Sequence, residues 1–195
     1  MKSNSCGFTL LELLIAIILL SVIALGFASI EKFSTHQTIS TSTQASLQNK
    51  VSFALEHITK EISKARGNEM TMGANQVINW QGNQINFLIG TDPGNAQNRS
   101  SYRLDNQDQI LYCPQCADLP CASCTPNWGS RPDYIIAKKV KIFNIIKPAD
   151  ALGRLSENNI TAEITACKDS GQAQGANNPC VKMQTKIFMP AVSTN

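Results

Sequence analysis

A long apolar segment near the N-terminus constrains where this chain can fold. Residues 13–30 are 18 consecutive uncharged positions, most of them Leu, Ile, Val or Ala. About 17 to 25 such residues are enough for a helix to cross a bilayer. We therefore predict a membrane-spanning helix in this segment. Lys2 is the one basic residue before it, which favours an N-terminus on the cytoplasmic side.

Glu12 lies at the start of this apolar segment. A carboxylate in that position is disfavoured by up to a few kcal/mol, depending on its depth. It can lie at the level of the lipid headgroups without a specific partner, or it can pair with a cation. Removing one partner of a buried ion pair costs about 3 to 5 kcal/mol, so such a pair fixes the register between two chains more than it adds stability.

Residues 7–14, Gly-Phe-Thr-Leu-Leu-Glu-Leu-Leu, resemble the class III signal of type IV prepilins and type II secretion pseudopilins. The resemblance implies that a prepilin peptidase cuts after Gly7 and that Phe8 becomes the N-methylated N-terminus. It also implies that Glu12 directs assembly with other pilins or pseudopilins. Physically, the cut creates an amine with which Glu12 of a neighbouring subunit can pair.

The same resemblance implies where the protein is located. A single-pass precursor would lie in the inner membrane with its C-terminal head in the periplasm, and the processed subunit would enter a periplasmic or extracellular filament. An ordinary secretory signal is the competing interpretation, with residues 13–25 as its apolar core and Gly26 or Ala28 at the cleavage site. Glu12, at the front of the apolar core, argues against that alternative.

The apolar helix is predicted to continue to residue 66, because the sequence has no proline before Pro93 and no glycine between Gly26 and Gly67. Segment 34–46 is rich in Ser and Thr and is the weakest part of this helix. Beyond it, apolar residues recur at steps of three and four, which predicts a face that packs on a sheet: Leu47, Val51, Ala54, Leu55, Ile58, Ile62 and Ala65. His57 is predicted to be a solvated surface side chain.

Short strands separated by polar turns follow the helix. They are predicted at 76–80, 84–89, 100–105, 109–113, 134–146, 159–167 and 181–189. The predicted fold class is α+β and pilin-like, with a long N-terminal helix, membrane-spanning in its first half, packed on an antiparallel β-sheet head. The predicted organisation is a leader at 1–7, a transmembrane or filament-core helix at 8–30, a helix continuing into the head at 31–66, and a disulfide-rich β head at 67–195.

A second resemblance concerns the head. The segment 47–65, the run Tyr102-Arg103-Leu104-Asp105 and the following Ile110-Leu111-Tyr112 are similar to PilW-like minor pilins and J-type pseudopilins.

Four cysteines lie close together as two C-x-x-C pairs, Cys113 with Cys116 and Cys121 with Cys124. Cleavage after Gly7 would leave six of the seven cysteines, and an even number in an exported protein favours disulfides, although their connectivity stays open. Four thiolates could instead hold one zinc ion, but zinc ribbons usually place more residues between the pairs. Redox exchange is a third interpretation.

Cys167 ends one predicted strand and Cys180 begins the next. The two positions face each other in an antiparallel hairpin, so a disulfide between them is predicted. The polar loop between them, 168–179, is predicted to be a flexible connection.

The sequence favours a structural function over an enzymatic one. It contains no Ser, His and Asp arrangement, no phosphate-binding glycine loop and no metal-ligating histidine motif, and no cofactor is predicted. The leading hypothesis is a minor pilin or pseudopilin in a type IV pilus or a type II secretion pseudopilus, including a place in a tip or initiation complex.

Two alternatives stay open. In the first, the Cys-rich loop makes the head a filament-tip adhesin or a DNA-binding module. The net charge of +3 is spread along the chain, and the strongest basic run, Lys138, Lys139 and Lys141, is predicted to be the solvated edge of a strand, so the sequence gives nucleic-acid binding little support. In the second, the protein is secreted with an ordinary signal peptide and binds metal.

Overall fold

A computed structural model describes the chain over residues 9–68, 77–119, 121–125, 134–149, 155–175 and 178–193. The chain divides into two compact units, Met1–Ser42 and Thr43–Asn195. A single helix, α1, runs over Leu10–Ile62. It ends four residues before the predicted boundary, because Gly67 has a φ of 126° and strand β1 has already begun at Arg66. The predicted α+β class is confirmed.

The Ser- and Thr-rich segment 34–46 is helical despite its poor intrinsic helix propensity. The hydroxyl groups of Thr35 and Thr38 donate to the carbonyl oxygens of Glu31 and Ser34, at 2.9 Å in both cases. These hydrogen bonds run along the helix, so the hydroxyls do not draw the backbone into a turn. The segment continues α1 without a break.

The described part of the head contains ten strands, with these bounds: β1 Arg66–Asn68, β2 Ile78–Gln81, β3 Gln84–Leu88, β4 Arg99–Leu104, β5 Gln109–Cys113, β6 Ile135–Lys138, β7 Val140–Ile146, β8 Asn159–Cys167, β9 Cys180–Phe188 and β10 Ala191–Ser193. Strands β2 to β6 form one antiparallel sheet in sequence order, and β7 to β9 form a second. The short β1 and β10 pair in parallel, which the sequence did not predict.

The predicted apolar face of α1 is buried in the core of the head. Val51, Ala54, Ile58 and Ile62 are 0% exposed, and they share one hydrophobic cluster with side chains from both sheets. Among these sheet residues are Ile85, Phe87, Tyr102, Ile110, Ile160, Ala162, Ile164 and Ile187. In β8 the buried positions alternate with half-buried polar ones, as a strand with one face on the core requires.

The prediction of one strand over 134–146 is wrong, because the segment is two strands that belong to different sheets. Lys139 lies between β6 and β7 with a φ of 65°, a left-handed conformation that cannot continue a strand. Its carbonyl oxygen accepts from the Cys167 N–H at 3.0 Å, so the turn is tied to β8. Lys138, Lys139 and Lys141 are exposed, as predicted, but they belong to edge strands of two different sheets and to the turn between them.

We expect Lys139→Gly to raise the free energy of unfolding by about 1 kcal/mol, because only glycine adopts a positive φ without a steric cost from Cβ. Denaturant unfolding of the full chain in detergent micelles measures this. Lys138→Gly is the matched control, since position 138 is the last residue of β6 and pairs with Gln109, and glycine there should lower stability by about 0.5 to 1 kcal/mol. Equal destabilisation by both substitutions would contradict the strain at Lys139.

Candidate functional site

The N-terminal turn of α1 is built around Thr9 and Glu12. The backbone N–H of Thr9 donates to Glu12 Oε2 at 3.3 Å, and the backbone N–H of Glu12 lies 3.3 Å from Thr9 Oγ1. A Thr and a Glu three residues apart that bond to each other's backbone form a capping box. Gly7 and Phe8, which the resemblance assigns to processing, lie outside the described residues.

The capping box gives Glu12 a function within its own chain. The first N–H groups of a helix have no partner inside the helix, and this end also carries a partial positive charge that favours a carboxylate. Both effects hold Glu12 at the boundary of the apolar segment. This role was not predicted from the sequence, although the pattern Thr-x-x-Glu before an apolar run is a recognised signature of a helix N-terminus.

The helix that follows buries nothing within its own unit. Every large apolar side chain of α1 between Leu10 and Ile39 is exposed. Within the described residues, α1 is the one helix long and apolar enough to cross a membrane. Large exposed apolar surfaces indicate contact with lipid or with other proteins. The site is thus a capped helix end with one carboxylate, followed by an uncovered apolar surface.

Residues 2–28 match the prokaryotic N-terminal methylation motif. The match spans Gly7, Phe8, Glu12 and most of the apolar segment, and it supports the type IV pilin-like family and a precursor processed by a prepilin peptidase. No curated protein and no solved structure matches the chain. The motif indicates a structural subunit rather than an enzyme, and it fits anchoring in a membrane followed by assembly with other pilins.

The head has a Cys-rich loop, residues 113–119 and 121–125, with two nested disulfides. Cys113 is bonded to Cys124 and Cys116 to Cys121, so neither C-x-x-C pair forms a bond within itself. The four side chains are between 0% and 2% exposed and form a buried cluster of their own. The sulfur atoms of Cys113, Cys116 and Cys121 lie within 4.8 Å of one another, as ligands of one metal ion would. All four sulfur atoms are, however, bonded in disulfides. Thiolates for zinc would require both bonds to be reduced.

Hydrogen bonds attach the Cys-rich loop to the five-stranded sheet. The Cys116 N–H donates to the Arg99 carbonyl at 3.0 Å, and the Gln84 side-chain amide donates to the Cys121 carbonyl at 2.6 Å. Within the loop, the backbone and hydroxyl of Ser123 donate to Asp118 at 2.9 and 2.8 Å. These bonds hold the pKa of the Asp118 carboxyl below its ordinary value. The loop is therefore a compact covering of one sheet face.

The third disulfide joins Cys167 and Cys180, which are register partners in β8 and β9. The Lys168 N–H donates to the Pro179 carbonyl at 3.1 Å, so 167 and 180 form the adjacent non-hydrogen-bonded pair, in which side chains lie closer together. The loop beyond it is tied down by Asn178, whose side-chain amide donates to the carbonyls of Asp169, Gln172 and Ala173.

Replacing Cys167 and Cys180 together by serine should lower the free energy of unfolding by about 3 kcal/mol, because the open chain regains the entropy of a loop with a sequence separation of 13. Denaturant unfolding under non-reducing conditions measures the loss. In excess reductant the two proteins should unfold at similar denaturant concentrations. A difference that persists after full reduction would mean that the serines act through packing.

A second set of polar side chains connects α1 to the five-stranded sheet. His57 Nδ1 lies 2.8 Å from the Tyr102 hydroxyl, and its ring contacts Tyr112 edge-on with the centroids 5.1 Å apart. The Tyr112 hydroxyl donates to Glu61 at 3.0 Å, and Glu61 pairs with Lys64 at 2.6 Å. The prediction of a solvated surface histidine is wrong, because the helical period turns His57 toward two tyrosines from β4 and β5.

Burial dominates the electrostatics of this cluster. It lowers the pKa of His57, while the carboxylate of Glu61 acts in the opposite direction and Lys60 and Lys64 add to the lowering. Burial also raises the pKa of Tyr102 and Tyr112, so both hydroxyls stay protonated. For Glu61, burial disfavours the charge, but hydrogen bonds from Lys64 and Tyr112 hold its pKa below the ordinary value.

The lowered pKa of His57 predicts a stability that depends on pH. At a pH below the ordinary value of 6.5, His57 is protonated in the unfolded chain but stays largely neutral in the folded chain. The contribution of His57 to the free energy of unfolding is therefore fully present above pH 6.5 and is lost as the pH falls toward the lowered pKa. Unfolding measured at about pH 7.5 and pH 5.5 should show a loss in the wild type and a smaller loss in His57→Gln. Equal losses would exclude His57 as the source.

Proposed function

We propose that this chain is a minor pilin or pseudopilin that is cleaved after Gly7, methylated on Phe8 and assembled into a type IV pilus or a type II secretion pseudopilus. The observation that carries the proposal is the coincidence of the methylation motif with an uncovered apolar helix whose first turn holds a carboxylate. A helix with this much exposed apolar surface needs lipid before assembly and neighbouring helices after it.

Glu12 directs the assembly step in this proposal. Cleavage after Gly7 would leave a cationic amine on Phe8, four residues before Glu12 in sequence. In an apolar environment, a carboxylate on one subunit and an amine on the next attract strongly and allow one relative position. The capping box keeps the carboxylate at the helix end, where such an amine can reach it.

The minor-subunit assignment, including a tip or initiation complex, rests on the head. Its three disulfides suit an oxidising periplasm, which agrees with a precursor in the inner membrane and a C-terminal head on the periplasmic side. The similarity of the head segments to PilW-like minor pilins and J-type pseudopilins supports the same assignment. The domain organisation proposed is a leader at 1–7, an anchor and filament-core helix at 8–30, a helix entering the head at 31–66 and the head itself at 67–195.

The decisive experiment separates the charge of Glu12 from its capping function. Glu12→Gln keeps the capping box, since glutamine at this position also bonds the N-cap backbone, but it removes the charge. Glu12→Val removes both. We expect both variants to be processed, and to remain in the membrane while they are absent from sheared filaments, because neither can pair with the amine on Phe8.

Mass spectrometry of the mature N-terminus and immunoblots of membrane and filament fractions provide the measurement. N-methylated Phe8 in the wild type supports the proposed processing, whereas a mature start near Phe27 or Ser29 indicates an ordinary signal peptide. Normal incorporation of Glu12→Gln would show that capping suffices and that charge pairing does not drive assembly.

A further inference from the structure

Within the residues that the structure describes, strand β9 is an open edge of the three-stranded sheet, whose order is β7-β8-β9. It pairs with β8 through nine consecutive register pairs without a shift, whereas β7 on the opposite edge is interrupted by a register shift between Val140 and Ile142. Bulges are one of the means by which proteins protect sheet edges. β9 is instead long, regular and free of proline, which makes it a template for pairing with another strand.

The hydrogen-bond pattern shows which backbone groups face the open side. The Lys168 N–H donates to the Pro179 carbonyl, and the Met189 N–H donates to the Asn158 carbonyl at 2.9 Å. Bonded and non-bonded pairs alternate along an antiparallel ladder, so Lys182, Gln184 and Lys186 direct their backbone N–H and C=O groups away from β8. Among the residues that the structure describes, none hydrogen-bonds to these outward groups.

A groove of about 540 Å³ lies between β9 and α1. Leu55, which is buried, and Met183, which is half-buried, contribute apolar surface, and the remaining lining is polar: Ser52, Glu56, Thr59, Lys60, Gln184 and Thr185. A strand added along β9 would alternate its side chains between this groove and the outer face of the sheet. The groove can therefore receive the apolar side chains of a strand in which apolar and polar residues alternate.

The outer face of β9 carries positive charge. Lys182 pairs with Glu163 of β8 at 2.8 Å. Lys186 lies on the same exposed face, and its register partner on β8 is the uncharged Thr161. Opposite charges in neighbouring strands attract, by roughly 0.2 to 1 kcal/mol for each pair. An added strand would gain most from an acidic side chain beside Lys186.

We propose that the edge of β9 binds an extended strand of a different protein, with apolar side chains in the Leu55–Met183 groove and an acidic side chain near Lys186. Backbone groups at Lys182, Gln184 and Lys186 supply the hydrogen bonds, and main-chain pairing of this kind is a common mode of peptide recognition. These residues lie outside the N-terminal site, so strand binding at β9 does not require the proposed function of Glu12.

The sequence of β8 provides a probe, because β8 already pairs with the other side of β9. A peptide of residues 159–166, Asn-Ile-Thr-Ala-Glu-Ile-Thr-Ala, presents Ile and Ala on one face and Thr and Glu on the other. We expect this peptide to bind the full-length protein in detergent micelles and to slow the hydrogen exchange of the Lys182, Gln184 and Lys186 amides, as measured by NMR. No binding at the highest soluble peptide concentration would overturn the proposal.

Backbone N-methylation of the peptide tests the geometry. Directly opposed residues share one face of a sheet, so the amides that bond to Lys182, Gln184 and Lys186 must belong to the Thr and Glu positions of the peptide. Methylating those amides should abolish binding, whereas methylating the Ile and Ala amides should preserve it. Equal effects of the two methylation patterns would overturn the pairing.

A matched pair of protein variants completes the test. Gln184→Pro removes one outward N–H while leaving the ladder to β8 intact, since proline is tolerated where the N–H faces solvent; Gln184→Ala keeps the backbone donor. We expect peptide binding to be about tenfold weaker in Gln184→Pro than in Gln184→Ala, which has lost the same side chain, with both proteins unfolding near the wild-type temperature. Equal binding by all three proteins would overturn the proposal. A concentration-dependent dimer that Gln184→Pro abolishes would also overturn it, by assigning the edge to a second copy of this chain.

Discussion

The burial of one face of α1 is the contact on which the head depends. Val51, Ile58 and Ile62 are fully buried in a core to which both sheets contribute. The helix thus covers apolar side chains of both sheets. The same helix exposes every large apolar side chain between Leu10 and Ile39. One element thus meets two environments, and the Ser- and Thr-rich segment 34–46, whose hydroxyls bond along the helix, connects them.

Covalent cross-links stabilise the parts of the head that lie outside this core. The four sulfurs of the Cys-rich loop form a separate buried cluster, and the loop is attached to the sheet through backbone groups of Arg99 and Cys121. The third disulfide closes the hairpin between β8 and β9. Disulfides restrict the unfolded chain most effectively where a loop has little core of its own. Their placement therefore complements the helix contact.

Periodic patterns made much of this fold predictable. The steps of three and four from Leu47 to Ile62 identified the buried helix face, and alternation in 159–167 identified a half-buried strand. The break at Lys139 was not predictable in this way, because a lysine carries no turn signal and the segment on either side is apolar. The capping box at Thr9 and Glu12 was encoded locally and was overlooked in favour of a role between subunits. The position of His57 depends on tyrosines more than 40 residues away in sequence.

The sequence by itself determined the apolar segment, the motif around Gly7, Phe8 and Glu12, the helix face and the bonding potential of the cysteines, since each depends on residues close together in the chain. Only the tertiary structure decided the nested pairing of Cys113 with Cys124 and of Cys116 with Cys121, the division of the head into two sheets, the aromatic contacts of His57 and the open edge of β9. These features depend on which distant segments meet, and the strand register and backbone path that bring them together are set by packing of the whole core.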